Sequence, residues 1–188
     1  GADLDVTEFA KSEELKNILK SMTLNDKIEG KKIDGTISSN HKLIVKNLEN
    51  PDESKYYVNQ YPDTNGVTNI YALKEVNKYK GEGVSFRLTY YGNEGNYKDL
   101  DTCLAYQEKT FKKKFEDYNL FGQKVKVDVS RHAIGESSSP EKYKNWIAGY
   151  FEKDGKVYDF LYIQYVGIED SLGEKLINNV LNNFTTQD

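Results

Sequence analysis

The Asp-Gly pair at residues 154–155 constrains this fold more than any other feature. It lies between two long runs, 144–153 and 156–166, that are rich in aromatic and β-branched residues. A two-residue turn between strands requires positive φ at both positions, which aspartate and glycine tolerate. The pair therefore predicts a tight β-hairpin in which Lys153 faces Lys156.

That register distributes the hairpin side chains over two faces, and both faces are largely apolar or aromatic. One carries Trp146, Ala148, Tyr150, Val157, Leu161 and Ile163, and the other carries Ile147, Phe151, Tyr158, Phe160 and Tyr162. A strand pair with one solvated face would alternate more cleanly, so we expect these strands to be central in a sheet covered on both sides. The alternative is a tyrosine-rich face left open for binding, since tyrosine also suits half-buried strands.

A helix is predicted to follow the hairpin from about Ser171. The spacing of Ser171 and Glu174 matches a capping box, and Asp170 adds negative charge at the positive end of the helix dipole. Apolar residues then recur at helical spacing, namely Leu172, Leu176, Ile177, Val180, Leu181 and Phe184. We expect this face of the helix to pack on the sheet.

The rest of the chain predicts further strands joined by tight turns, together with two more helices. The helices are 7–22 and 99–118, and the strands are 32–37, 42–46, 56–61, 67–73, 83–91 and 124–129. Pro62 places its strand towards a sheet edge. This order favours an α+β fold, an α/β/α sandwich whose central, mostly antiparallel sheet is flanked by helices. We expect one domain over residues 1–188, with residues 1–6 as a flexible end.

The C-terminal third resembles the PsbP-like family. In that family a late hairpin with a glycine before an aromatic residue, as in Gly155 to Tyr158, leads into a final helix that ends in an apolar residue and phenylalanine. Val180 to Phe184 stands where that ending falls, with Asn183 in place of the family's serine. The resemblance implies an α/β/α sandwich, and the family includes extracytoplasmic bacterial lipoproteins and a nuclear-transport release factor. None of the family's binding positions can be placed on this chain.

Composition narrows the classes of partner. The net charge is -4, and Arg87 and Arg131 are the only arginines among 26 basic residues, which disfavours nucleic acid as a ligand. One cysteine allows no internal disulfide, and no apolar run approaches the ~20 residues of a membrane span. The N-terminal residues are polar and lack an initiator methionine. We interpret this as the removal of a targeting segment or lipid anchor, and we therefore predict an extracytoplasmic protein.

No catalytic, cofactor-binding or metal-binding residue is predicted. Cys103 lies on the apolar stripe of a predicted helix, where a free cysteine usually belongs to the core. His41 and His132 lack a second ligand at metal spacing and are interpreted as solvated loop residues. Asp99 and Asp170 stand at predicted helix starts, where carboxylates stabilise the dipole without any catalytic role.

The excess of tyrosine is the feature left to explain, since the chain has 15. Those on predicted strands are Tyr56, Tyr57, Tyr90, Tyr91, Tyr150, Tyr158, Tyr162 and Tyr165. Tyrosine joins a rigid apolar body to a polar tip, so we hypothesise that part of this set forms an exposed concave surface for a peptide, glycan or protein of the cell envelope.

The sequence therefore favours a non-enzymatic, extracytoplasmic binding or assembly module of a bacterial lipoprotein or secreted protein. One alternative is a hydrolase whose carboxylates meet only in the fold, and another is a structural domain of a larger surface protein. A pocket that holds two close acids would favour the hydrolase. A shallow surface lined by tyrosine would favour binding.

Overall fold

A computed structural model describes residues 42–62, 66–74 and 82–187. The strands are β1 (Lys42–Val45), β2 (Tyr57–Pro62), β3 (Val67–Leu73), β4 (Gly83–Tyr90), β5 (Phe115–Leu120), β6 (Gln123–Asp128), β7 (Tyr143–Lys153), β8 (Lys156–Tyr165) and β9 (Phe184–Gln187). The helices are α1 (Leu100–Phe111) and α2 (Asp170–Asn183), and a 3-10 turn spans Gly95–Tyr97. The helix predicted at 7–22 and the strand predicted at 32–37 lie outside the described residues.

Seven strands form one antiparallel sheet in the order β2-β3-β4-β8-β7-β6-β5, and β1 pairs with β9 in a separate two-stranded sheet. The helix α2 and the β1–β9 pair pack on one face of the large sheet, and α1 packs on the other. The predicted α+β sandwich with a central antiparallel sheet is thereby confirmed. The strand that contains Pro62 is at the edge of this sheet, as predicted.

The predicted hairpin is formed by β7 and β8. Asp154 and Gly155 have φ of 52° and 73°, and Lys153 pairs with Lys156. Because β8 lies between β4 and β7, the hairpin is central in the sheet. The ladder keeps the predicted register along most of its length but contains a β-bulge between Tyr143 and Asn145.

The main core lies between the sheet and α2. Five of the predicted helix residues are buried there, namely Leu172, Leu176, Ile177, Val180 and Leu181. The sixth, Phe184, instead begins β9. The predicted capping box is wrong, because the helix is capped by Glu169 with no side-chain hydrogen bond. The Asp170 carboxylate, just inside the helix, instead accepts hydrogen bonds from Lys144 and Gln164, at 2.7 and 2.8 Å.

The other helix is shorter than predicted. It begins as expected at Asp99, whose carboxylate accepts a hydrogen bond of 2.7 Å from the Thr102 backbone N–H. It ends at Phe111 rather than near residue 118, because Lys112 takes a left-handed conformation that closes the last turn. The following residues form β5 and turn back into β6 through Phe121 and Gly122, which both have positive φ.

Candidate functional site

Among the described residues, those that cover the sheet face opposite α2 lie only at one end of it. There α1 buries a small cluster made by Cys103, Tyr150 and Val157. Towards the other end aromatic side chains reach solvent, and Tyr57 and Trp146 are 51% and 38% exposed. Within the described ranges the hairpin is therefore covered on both sides only at the α1 end, which corrects the expectation of cover along its whole length. We call the uncovered surface the open face; it comprises Tyr57, Tyr61, Asn69, Tyr71, Ser85, Arg87, Tyr143, Trp146, Leu161, Ile163 and Tyr165.

Strand register arranges the open face in rows that cross the sheet. In one row Tyr71 pairs with Ser85, Ser85 with Ile163, and Ile163 with Trp146. Neighbouring strands lie ~4.8 Å apart, so the two aromatic residues at the ends of this row are separated by roughly 14 Å. Ser85 and Ile163 lie between them, and because their side chains are smaller they form the floor of a depression between the two aromatic residues.

The adjacent row repeats this arrangement with a charge in its middle. Tyr61 pairs with Asn69, Asn69 with Arg87, and Arg87 with Leu161. The two rows contribute to a cleft of about 290 Å³. It is lined by Asn69, Tyr71, Leu73, Val84, Ser85, Arg87, Tyr143, Leu161, Ile163 and Tyr165.

Aromatic rings in edge-to-face contact stand on both sides of this cleft, and Tyr71, Tyr143 and Tyr165 among them line it directly. On the β2–β3 side the ring centroids of Tyr61 and Tyr71 are 5.8 Å apart. On the β7–β8 side Tyr143 lies 5.0 Å from Tyr165 and 5.2 Å from Trp146. Such contacts restrain the orientation of the rings on both sides of the cleft.

The bulge in β7 places two of these rings on the same face. Tyr143 and Trp146 are three residues apart, and regular alternation would point them to opposite faces. The extra residue shifts the alternation, so that Tyr143 pairs with Tyr165 while Trp146 pairs with Ile163.

A buried amide on the other side of the sheet holds the bulge in place. Gln164 is fully buried, and its side-chain oxygen accepts hydrogen bonds from Asn145 and Tyr162, at 2.7 and 3.0 Å. Its nitrogen donates to the backbone oxygen of Ile168 and to the Asp170 carboxylate, both at 2.8 Å. All four hydrogen-bonding positions of the amide are used, which fixes its orientation.

Arg87 is the one charged residue among those that line the cleft. Its side chain is exposed, and it makes no ion pair or side-chain hydrogen bond within the described part of the chain. The side chains of Asn69 and Ser85 beside it are likewise without hydrogen bonds there. The floor of the cleft therefore offers a guanidinium, an amide and a hydroxyl group to a ligand.

A partly buried carboxyl group, that of Asp159, lies one row further on, at the end of the face that α1 covers. Burial raises the pKa of Asp159 to about 6, although the positive charges of Arg87 and Lys113 and a hydrogen bond with Tyr150 act against the rise. Burial and the charge of Asp159 in turn raise the pKa of Tyr91 to about 12. This group adjoins the cleft but does not line it.

The structure settles the places of several residues that the sequence singled out. Cys103 is fully buried, and burial raises the pKa of its thiol to about 12, so its assignment to the core is confirmed. His132 is exposed in the loop between β6 and β7, while His41 lies outside the described residues. Within the described ranges no group of histidine, cysteine and acidic residues could hold a metal ion.

The predicted tyrosine set divides between the core and the surface. Tyr56, Tyr90, Tyr150, Tyr158 and Tyr162 are buried, Tyr57 and Tyr91 are exposed, and Tyr165 is intermediate. The open face is completed by residues that the sequence did not single out for binding, chiefly Tyr61, Tyr71, Tyr143 and Arg87. Their alternation along each strand was the available signal, but it did not reveal which strands are neighbours.

A wider groove of about 700 Å³ runs between the segment 49–51 and α2. It is lined largely by asparagine, but two of these residues already hold the segment against the helix. The Asn179 side-chain oxygen accepts from the Glu49 backbone N–H at 3.0 Å, and the Asn183 backbone oxygen accepts from Lys46 at 2.8 Å. We therefore take the cleft on the open face as the candidate site.

The comparisons with known proteins add no further constraint. No helix in the described ranges is long and apolar enough to cross a membrane. The chain matches no protein-family model, no curated protein and no solved structure.

Proposed function

We propose that this domain is a non-enzymatic binding module and that the open face holds a saccharide chain. The observation that carries the proposal is the cleft itself, in which aromatic rings flank a floor whose polar side chains have no partner in the described part of the chain. The PsbP-like resemblance supports an extracytoplasmic location and a cell-envelope ligand as part of the same proposal.

The chemistry of the cleft suits a saccharide in two respects. Sugar rings present C–H groups that stack on aromatic faces, and Tyr143 in the cleft and the exposed Trp146 in contact with it present such faces. Sugar hydroxyls both donate and accept hydrogen bonds, and the side chains of Asn69 and Ser85 can likewise do both. A binding site of this type is concave, with an apolar lining and a few placed polar groups.

A peptide is the competing ligand, and the geometry favours it less. A bound peptide commonly adds a strand to a sheet edge, where its backbone hydrogen bonds are satisfied. The cleft instead lies across the middle of the sheet, on β3, β4 and β8, whose backbone groups already pair with neighbouring strands. A ligand there must be recognised through side chains alone.

Catalytic hydrolysis is supported less than binding. Glycoside hydrolysis commonly requires two carboxyl groups on opposite sides of the scissile bond. No acidic residue is among the described residues that line the cleft. Asp159 lies in the next row, paired with Tyr150 of the cluster that α1 buries, and it does not line the cleft although its charge interacts with that of Arg87.

The proposal can be tested by intrinsic fluorescence, because Trp146 is the only tryptophan and belongs to the open face. The full chain would be titrated with cellotetraose, chitotetraose, maltotetraose and tetragalacturonate, and in parallel with a mixture of unstructured hexapeptides. We expect at least one saccharide to shift or quench the emission saturably. Replacing Trp146 by alanine should weaken that binding, measured by calorimetry, about tenfold or more.

The matched control is Phe111→Ala, which removes an aromatic side chain that is 57% exposed on α1, away from the open face. It should leave saccharide affinity unchanged. Equal losses in the two variants would show that general aromatic exposure, and not the cleft, causes binding. A response to peptides alone would replace the saccharide with a peptide, and no response to either would reject the open face as a ligand site.

A further inference from the structure

We infer that the saccharide bound by the open face carries a carboxylate group and that Arg87 is the residue that binds it. This inference rests on the function proposed above, since it names the chemical class of ligand for the same cleft. It follows from the position and the exposure of one side chain, and from the lack of a direct ion pair to it within the described residues.

Arg87 occupies the middle of the cleft floor rather than its rim. It pairs with Asn69 on one side and with Leu161 on the other, so it stands on the central strands β3, β4 and β8. Surface lysines and arginines usually lie among acidic neighbours, but no acid lines this cleft within the described ranges. A cation placed there, without an ion pair in that part of the chain, is available to an anion from outside.

The surrounding charges favour an anionic group with a single negative charge. Arg87 is the only cation among the described residues of the lining, and the nearby Asp159 carboxyl interacts with it from the next row. Lys142 approaches the ring of Tyr143 to 5.0 Å, yet it is not part of the lining. A phosphate with two charges would be compensated poorly by one guanidinium that a neighbouring acid already influences.

The shape of the guanidinium group makes a carboxylate its natural partner. Its planar fork can donate two parallel hydrogen bonds to the two oxygens of a carboxylate. Asn69 and Ser85 flank Arg87 in the cleft and could then bind the hydroxyl groups of the same sugar. The ligand class that fits is a uronic acid residue within an oligosaccharide.

The test compares tetragalacturonate with its fully methyl-esterified form, which has the same sugar stereochemistry without the charge. Affinity for the full chain would be measured through Trp146 fluorescence at low and moderate salt. We expect the acid to bind about 10- to 100-fold more tightly than the ester, as a charge-assisted pair predicts. Added salt should weaken binding of the acid alone.

Three variants separate the charge of Arg87 from its shape and from general effects. Arg87→Gln should reduce affinity for the acid to that of the ester and leave the ester unchanged. Arg87→Lys, which keeps the charge but lacks the fork, should bind the acid with intermediate affinity. Arg131→Gln changes the other arginine, which is exposed in the loop after β6, and should behave as the unaltered chain.

Each outcome bears on a different claim. If acid and ester bind equally, the carboxylate inference fails while the saccharide-binding proposal stands. If neither binds but the neutral tetrasaccharides do, the inference fails in the same way. If Arg87→Gln and Arg131→Gln weaken the acid equally, its binding depends on overall charge and the assignment to Arg87 is wrong. If no saccharide binds at all, both proposals fail together.

Discussion

The partly buried carboxyl group of Asp159 should contribute less to the stability of the protein at neutral pH than in mild acid. Its folded pKa of about 6 lies above the ordinary value of 3.8 because burial disfavours the charged form. The folded state therefore holds the proton more tightly than the unfolded chain does. The contribution of Asp159 protonation to the free energy of unfolding is complete below about pH 4, declines as the pH rises to about 6, and is lost above that.

The size of the effect follows from the two pKa values. A difference of about two corresponds to about 3 kcal/mol at 1.36 kcal/mol for each pKa unit. Asparagine resembles the protonated carboxyl group, so Asp159→Asn should raise the free energy of unfolding at pH 7.5 by up to about 3 kcal/mol. At pH 4 the variant and the unaltered protein should be nearly equal in stability.

Urea denaturation, followed by circular dichroism at several pH values between 4 and 7.5, measures this difference directly. Glu116→Gln, which removes an exposed carboxyl group on β5, is the control and should not change the pH dependence by a comparable amount. If Asp159→Asn destabilises the protein at pH 7.5, the charged form must be compensated by Arg87 and Lys113, and the reasoning from burial is refuted.

Two further substitutions test the packing behind the open face. Gly173→Ala would normally favour a helix by up to ~1 kcal/mol, but its β-carbon would overlap the Tyr162 hydroxyl oxygen. We expect the variant to lose about 1–3 kcal/mol of free energy of unfolding, measured by thermal denaturation. Adding Tyr162→Phe should restore part of that loss, and a Gly173→Ala variant more stable than the unaltered protein would contradict the close contact. Gln164→Leu removes the hydrogen-bond partner of Asn145 and should lower the free energy of unfolding by about 2 kcal/mol or more. It should also alter the fluorescence spectrum of Trp146. An unchanged spectrum would show that the Gln164 amide does not hold the bulge.

Local sequence signals predicted the elements that depend on neighbouring residues. The Asp154-Gly155 turn allowed the hairpin register to be derived, because positive φ at two successive residues restricts the choice of amino acids. The end of α1 could not be derived, because Lys112 adopts a left-handed conformation that its sequence does not demand. The turn at Phe121 was missed for the same reason, since phenylalanine rarely takes positive φ.

The candidate site depends on information that no short stretch contains. The side-chain alternation of β4 and β8 was predicted, yet the pairing of Arg87 with Leu161 joins positions far apart in the chain. The bulge near Asn145 then moves Tyr143 onto the open face, which strict alternation excludes. Asp159 could have been found, because it is the one acidic residue in the aromatic strand β8 and alternates with Val157 and Leu161.

The bulge also determines how this binding surface can vary. A substitution on the open face leaves the core unchanged, because the core side chains lie on the opposite face of each strand. A change in the length of residues 143–145 would act on both faces together, turning Tyr143 away from the cleft and separating Asn145 from Gln164. Relatives of this domain can therefore acquire new ligands by exchanging residues on the open face, whereas the residue count at the start of β7 should stay fixed.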